Sequence, residues 1–245
     1  MIYREIQPHP FWRPYVAAYW FAEGKSTATS RIYPDGFVDL IFHRMGGESI
    51  RVSGMMTSYR EVVLEGEVEL LGIRLKPEGL SLLQGLPMAD IKNLSLPLSE
   101  VSTWPVEEWN DKFWSFASMS SKLRWIEGDL LPKLLHRRKK QDLLITSVCH
   151  DLSTQYVGID IASLARHYYL SLRQLERRFK DVVGVSMKEY HRILRFTNAL
   201  LDIQEKPQSS LLQIAYDHGY SDHAHLTREV LRMTGKNPSQ LRLIS

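Results

Sequence analysis

The chain has 245 residues, 44% of them hydrophobic and 24% charged, with a formal net charge of +3. That length suits two domains of ordinary size, and the balance is that of a folded globular protein, which excludes disorder as the default. No apolar run approaches the ~20 residues needed to cross a bilayer. The opening MIYREIQPHPFWRPY lacks the apolar core of a signal peptide, and the single cysteine, Cys149, excludes an internal disulfide. A cytoplasmic protein without membrane association is the expectation.

The positive charge is unevenly placed. Residues 1–150 hold 18 Lys and Arg against 18 Asp and Glu, and residues 151–245 hold 13 against 10. The whole excess therefore sits in the C-terminal part, behind the basic run His136-Arg137-Arg138-Lys139-Lys140. By itself such a run is more often a solvated face or linker than a polyanion site.

Taken in chain order, the first hundred residues read as strands and turns. Val16–Phe21 is rich in apolar and aromatic residues, the turn Tyr33-Pro34-Asp35-Gly36 precedes Phe37–Phe42, and Val68–Leu75 alternates in part until Pro77 stops it. An antiparallel barrel or sandwich is predicted. From Pro105 the pattern becomes helical, with Trp109, Phe113, Trp114 and Phe116 followed by Leu123, Ile126, Leu130, Leu131, Leu134 and Leu135. These are expected to be core, with a dimerisation surface as the alternative. A helix over Leu143–Leu152 follows.

Beyond it lies an internal repeat. Leu175, Arg177, Phe179 and Gly184 recur 51 residues later as Leu226, Arg228, Val230 and Gly235, while Ala165 recurs 50 later as Ala215. The second turn is thus one residue longer than the first. Ser171 with Gln174, Ser186 with Glu189, and Ser210 with Gln213 are capping-box pairs. Asp222 and Asn237 are N-cap residues, Pro238 suits a first helical position, and Gly184, Gly219 and Gly235 suit left-handed helix ends. Each repeat reads as a short helix, a tight turn and a longer helix, which is helix-turn-helix geometry. Leu172, Leu175, Phe179 and Val182 are expected to face inward in the first unit, and Leu226, Val230 and Met233 in the second.

The outward residues of the longer helices carry the chemistry of a DNA reader. Ser171, Arg173, Gln174, Glu176, Arg177 and Lys180 in the first unit, and Asp222, His223, Ala224, Thr227 and Arg228 in the second, are the expected contacts to double-stranded DNA. Arginine bonds a guanine edge bidentately, while lysine, threonine and helix N-termini suit phosphates. Between the units, Met187 to about Ile203 predicts one helix of roughly 17 residues, ~25 Å long. That could hold the two readers about one DNA turn (~34 Å) apart.

These residues resemble the AraC/XylS family of bacterial regulators over about 95 residues, from near Leu152 to the end. The match runs through Leu164-Ala165, Ser171, Leu175, Arg177, Phe179-Lys180, Gly184, Tyr190 and Arg195, then Ile214-Ala215, Gly219-Tyr220, Asp222, His225-Leu226, Arg228, Gly235, Pro238 and Leu241-Arg242. The resemblance implies a monomeric module that sets two recognition helices into successive major grooves, and RNA polymerase as a partner if the protein activates. Departures are Leu226 and Val230 where the family has aromatics, Leu231 for a basic residue, Ser186-Met187 for Ser-Pro and Leu241 for Tyr. The second unit is therefore expected to grip phosphate less strongly.

Upstream, His9-Pro10, Tyr19-Trp20, Pro34-Asp35-Gly36, Asp39–Phe42 and Gly72–Leu75 look like a poorly characterised domain found ahead of such modules. In the wider family that place holds a sensor, often a cupin-like barrel, that binds a small effector or forms a homodimer. Trp20, Tyr33, Asp39, His43 and Arg74 are the effector-pocket candidates, with Arg74 facing a carboxylate or phosphate. The ordinary alternative makes Trp20 and Tyr33 core and Asp39–Arg74 a structural ion pair. No catalytic residue, metal site or cofactor is expected, because Cys149 stands alone in an apolar helix and no zinc or phosphate-loop motif occurs. The competing readings are a non-catalytic protein-interaction module and an enzyme with scattered residues in the N-terminal part.

The expected organisation is multi-domain α+β. Residues 1–135 form a sensor, effector or dimerisation domain, 136–142 a basic linker, and 143–245 an all-α domain with two helix-turn-helix units.

Overall fold

A computed structural model describes residues 1–137 and 143–242. Most of the expected basic linker lies outside the described residues.

The N-terminal part is one antiparallel sheet of six strands: β1 (Ile2–Ile6), β2 (Val16–Ile32), β3 (Val38–Arg44), β4 (Glu48–Ser53), β5 (Arg60–Leu75) and β6 (Ser95–Pro97). Their hydrogen-bonded order is β1-β2-β5-β3-β4-β6. Antiparallel β structure is as read from the sequence, but the strands are longer and more numerous. β1 escapes because every residue in it is exposed, so it shows no alternation. The outer half of β2 escapes because Lys25–Arg31 is polar, and the first half of β5 because Val62, Val63 and Leu64 run together without alternation; the two pair from Lys25↔Glu67 to Ile32↔Arg60.

Period-two alternation gives the sheet two unlike faces. Tyr19, Phe21, Leu40, Phe42, Ile50, Val52, Leu71 and Ile73 are buried on one face. Against it pack α1 (Leu98–Val101), α2 (Val106–Trp114), α3 (Met119–Trp125) and α4 (Leu131–His136), with a π-type turn over Ile126–Leu130 joining the last two. Phe42 stacks on Phe113 with ring centroids 3.9 Å apart. The aromatics from Trp109 onward are therefore core, as expected, with Trp114 and Phe116 half-buried at the margin. The other face lines a cavity, described below.

A buried 3-10 segment, Pro77–Leu83, leaves β5 and packs on α5 (Leu143–Thr154) and on the helix Leu172–Val183. One apolar core runs on from there into the C-terminal part. That part comprises α6 (Ile161–His167), α7 (Leu172–Val183), α8 (Met187–Glu205), α9 (Leu211–Asp217), α10 (His223–Thr234) and α11 (Pro238–Arg242). No described helix is long and apolar enough to cross a membrane.

The caps explain these boundaries. Ser171/Gln174 and Ser186/Glu189 form complete capping boxes, and Asp222 accepts from the His225 N–H at 2.7 Å. Gly184 and Gly235 close α7 and α10 with φ of 87° and 67°, in the left-handed region that glycine adopts without strain. The third expected box is half-formed. Ser210 accepts from the Gln213 N–H, but the Gln213 side chain turns away to Asp217 at 2.7 Å.

Candidate DNA-reading face and N-terminal cavity

In each unit a short helix is followed by a longer one, α6 by α7 and α9 by α10. The buried stripe of α7 is Leu175, Phe179 and Val183, at i, i+4 and i+8. Leu172, expected inward, is 41% exposed, because the stripe runs off the helix at its first turn; Val183 takes the inward place expected for Val182, which is half-buried. In α10 the inward residues are Leu226, Val230 and Met233, as read.

Arg173, Gln174, Glu176, Arg177 and Lys180 are exposed on α7, and Ser171 precedes it. Ser171 and Gln174 are committed to the capping box, so they shape the helix start. No carboxylate lies within ion-pair distance of Arg177 or Lys180 among the described residues. On α10, His223 and Arg228 are exposed and Ala224, Thr227 and the N-cap Asp222 half-buried. Leu231 is 46% exposed on the outward face.

Two features here were not read from the sequence. Tyr169, in the turn before α7, has a φ of 54° and is 96% exposed. Glu229 is buried against Arg192 of α8 at 2.7 Å and Arg232 at 3.0 Å. Only the packing of α10 on α8 reveals that pairing.

The second site is a cavity of about 590 Å³ on the other face of the sheet. Trp20, Tyr33, Asp39, His43 and Arg74, the five residues singled out in the sequence, all line it. Residues of one strand two apart share a face, and the register sets Asp39 opposite Arg74 on β5. The outer ribbon supplies a further wall through Arg31, Ile32, Arg60 and Val62. Trp20 lies against Gly72, where a Cβ would meet the indole at 2.0 Å, so only glycine fits beneath the ring.

The polar end of the cavity is under-coordinated. Trp20 Nε1 donates to Asp39 Oδ1 at 2.9 Å, and Arg74 Nη1 donates to Glu5 Oε1 at 2.9 Å. Arg74 Nε lies 3.6 Å from Asp39 and 3.7 Å from Asp35, too far for hydrogen bonds. Arg74 Nε and His43 Nδ1 are buried without hydrogen-bond partners. Burial pushes Asp39 up to about 6 against the opposing pull of Arg74, with Asp35 adding repulsion, and it raises Asp35 as well. Burial, aided by Arg51, lowers His43, which favours the neutral ring.

Among the described residues no group of three or more His, Cys, Asp or Glu is arranged to hold a metal ion. Cys149 is fully buried, and burial drives its thiol well above the usual value.

Two helix-turn-helix units on a shared bundle, joined to a sheet domain with a polar-ended cavity, define a double helix-turn-helix protein. Residues 164–243 match a family described as a helix-turn-helix domain, and residues 4–97 match a domain of unknown function, DUF6597. The probable transcription factor PqrA of Proteus vulgaris is 35% identical over 85 residues, 35% of this chain and 69% of that protein. The arabinose operon regulatory protein of Escherichia coli (strain K12) is 26% identical over 125 residues, 46% of this chain and 42% of that protein, so less than half of that relative is spanned. Among solved structures, ToxT from Vibrio cholerae O395 aligns with a TM-score of 0.48 and 12% identity, over 91% of this chain and 96% of its own. The chain belongs to the AraC family of DNA-binding transcription regulators, whose members are not enzymes.

Proposed function

We propose that this regulator reads a specific operator with α7 and α10 and is controlled by a small effector held in the N-terminal cavity. Residues 1–135 serve as sensor, 136–142 as linker and 143–245 as the DNA-binding domain, working in the bacterial cytoplasm. The observation that carries the effector half is the unsatisfied polar end of the cavity. Buried polar groups are ordinarily hydrogen-bonded, and Arg74 Nε and His43 Nδ1 are not. A site with an apolar body (Ile41, Val62, Leu70) and cationic groups (Arg51, Arg60, Arg74) suits a small organic anion, a carboxylate or phosphate ester.

A panel of aliphatic and aromatic monocarboxylates and phosphate monoesters, screened by thermal unfolding, tests this. At least one compound is expected to raise the Tm and to change affinity for a duplex selected from random DNA, with both effects lost in Arg74→Ala. A protein whose operator affinity no compound changes would end the effector reading and leave DNA binding standing.

Self-association has its own support. β1 is an edge strand with one unpaired side, and Met1, Ile2, Tyr3 and Ile6 are 40–57% exposed along it. Edge-to-edge pairing of two copies would build a homodimer, and deletion of residues 1–6 is expected to yield a monomer in sedimentation. RNA polymerase is a partner if the regulator activates, which transcription in vitro with purified polymerase would show.

A further inference from the structure

Gly184 and Gly235 are repeat-mates, each closing a reader helix, and each abuts the N-terminal part. A Cβ on Gly184 would lie 2.4 Å from the Met88 carbonyl oxygen. One on Gly235 would lie 2.9 Å from the Tyr59 ring and 3.0 Å from Arg31 Nη1. A left-handed cap explains the positive φ at both positions, but it does not require this close approach.

Further ties surround these two. Arg31 Nη1 donates to the carbonyl of Thr234, the last residue of α10, at 3.3 Å. Helix C-terminal carbonyls lack intrahelical partners and attract cations, so this is a favourable seat for a guanidinium. The same guanidinium pairs with Glu61 at 2.5 Å and lies 4.7 Å from the Tyr59 ring centroid. At the other end, Lys92 reaches Glu189 at the start of α8 at 3.1 Å. Between them, Gly36 faces Ile193 and Tyr190 on α8. The outward faces stay clear, with Arg173, Arg177, Lys180 and Arg228 all exposed.

We propose that the N-terminal domain is a clamp that fixes the spacing of the two reader helices, holding α7 through Met88 at Gly184 and α10 through Arg31 and Tyr59 at Thr234 and Gly235. Within the DNA-binding domain the two units are joined through α8. The N-terminal contacts add a second tie between them without covering the readers. Arg31 also lines the cavity, so an anion that draws the guanidinium inward would release α10. The clamp rests on the DNA-reading assignment above; only its link to the cavity rests on the effector.

The test uses the full-length chain and a duplex selected from random DNA, then the same duplex with one base pair inserted or removed between the half-sites. Such a change moves the second half-site by about 3.4 Å and rotates it by about a tenth of a turn. Wild-type protein is expected to lose about tenfold or more in affinity. Arg31→Ala and Tyr59→Ala are expected to lose about threefold or less, with unchanged penalties for mismatches within each half-site. Glu65→Ala, on the exposed ribbon, should keep the wild-type profile. Equal spacing penalties in wild type and both variants would overturn the clamp, as would a relaxed profile in the Glu65 control. If Arg31→Ala does not fold, Tyr59→Ala carries the test. Amide exchange over residues 228–236 should then be faster than in wild type, and unchanged exchange overturns the proposal. A chain that selects no duplex fails as a DNA reader, whereas selection with unaltered spacing profiles in the variants fails the clamp alone.

Discussion

Arg192 on α8 and Glu229 on α10 are 2.7 Å apart, and the carboxylate is 4% exposed while the arginine reaches solvent. Arg232 approaches the same oxygen at 3.0 Å, so two cations share one buried anion. Removing either arginine leaves the other in place and is expected to cost about 1 kcal/mol. Removing both strands an unpaired buried charge, for which about 3 kcal/mol or more is expected. Urea unfolding of Arg192→Ala, Arg232→Ala and the double variant closes the cycle. A double-variant loss equal to the sum of the single losses would mean that the arginines act independently.

Gly72→Ala tests the cavity from beneath. The new methyl would overlap the Trp20 indole, pushing it off the sheet and breaking its 2.9 Å bond to Asp39. Overpacking of this kind costs about 1–3 kcal/mol. The displaced ring would fill part of the cavity, so the Tm rise given by any carboxylate or phosphate ligand should vanish. Affinity of the ligand-free protein for its operator should persist. Tryptophan fluorescence checks that the ring has moved.

The C-terminal part was legible in the sequence because its signals are local. The Ser171–Gln174 and Ser186–Glu189 boxes each span three residues, and the glycine caps follow their helices directly. Leu172 departs from the periodic stripe because it stands at the first position of α7, where the stripe runs off the helix. The sheet was less legible because its order depends on pairing between distant strands. Nothing near β1 indicates that Ile2 faces Glu23, or near β3 that Asp39 faces Arg74. The five cavity residues were chosen by type, and the long-range register is what brings them together. Glu229 stayed hidden because charge argues for the surface, and only the arginines opposite it allow burial.

Asp39 should make anion binding depend on pH. Burial holds its carboxyl at about 6, well above the ~3.9 of an unfolded chain. Protonation therefore favours the folded state: the contribution is full below about pH 4 and lost as pH rises through about 6. The same protonation removes a negative charge beside Arg74. An anionic ligand of the cavity should bind more tightly at pH 5.5 than at 7.5, by up to about tenfold per pH unit around 6. Asp39→Asn should flatten that dependence. Titration calorimetry with a carboxylate, whose own charge is constant over the range, measures it; a wild-type affinity independent of pH would place the ligand away from Asp39.

Arg177 and Lys180 share one exposed face of α7, and we expect them to do different jobs. Arg177 lies one turn after Arg173, in the middle of the helix, where a guanidinium can reach a base edge. Lys180 is nearer the C-terminus and better placed for the phosphate backbone. With no carboxylate in ion-pair range among the described residues, Arg177 is not held in a surface salt bridge to Glu176 or Asp181. A bidentate base contact contributes about 1–3 kcal/mol of discrimination, whereas a phosphate contact adds affinity without sequence information. Arg177→Ala should thus relax preference at one or two base pairs. Lys180→Ala should weaken all sequences alike and reduce the salt slope by about one. Arg228→Ala, the repeat-mate, should relax a position about 10 base pairs away. Competition binding against a mismatch panel separates the two roles: a uniform loss across the panel in Arg177→Ala would place its guanidinium on phosphate and leave base reading to Arg173.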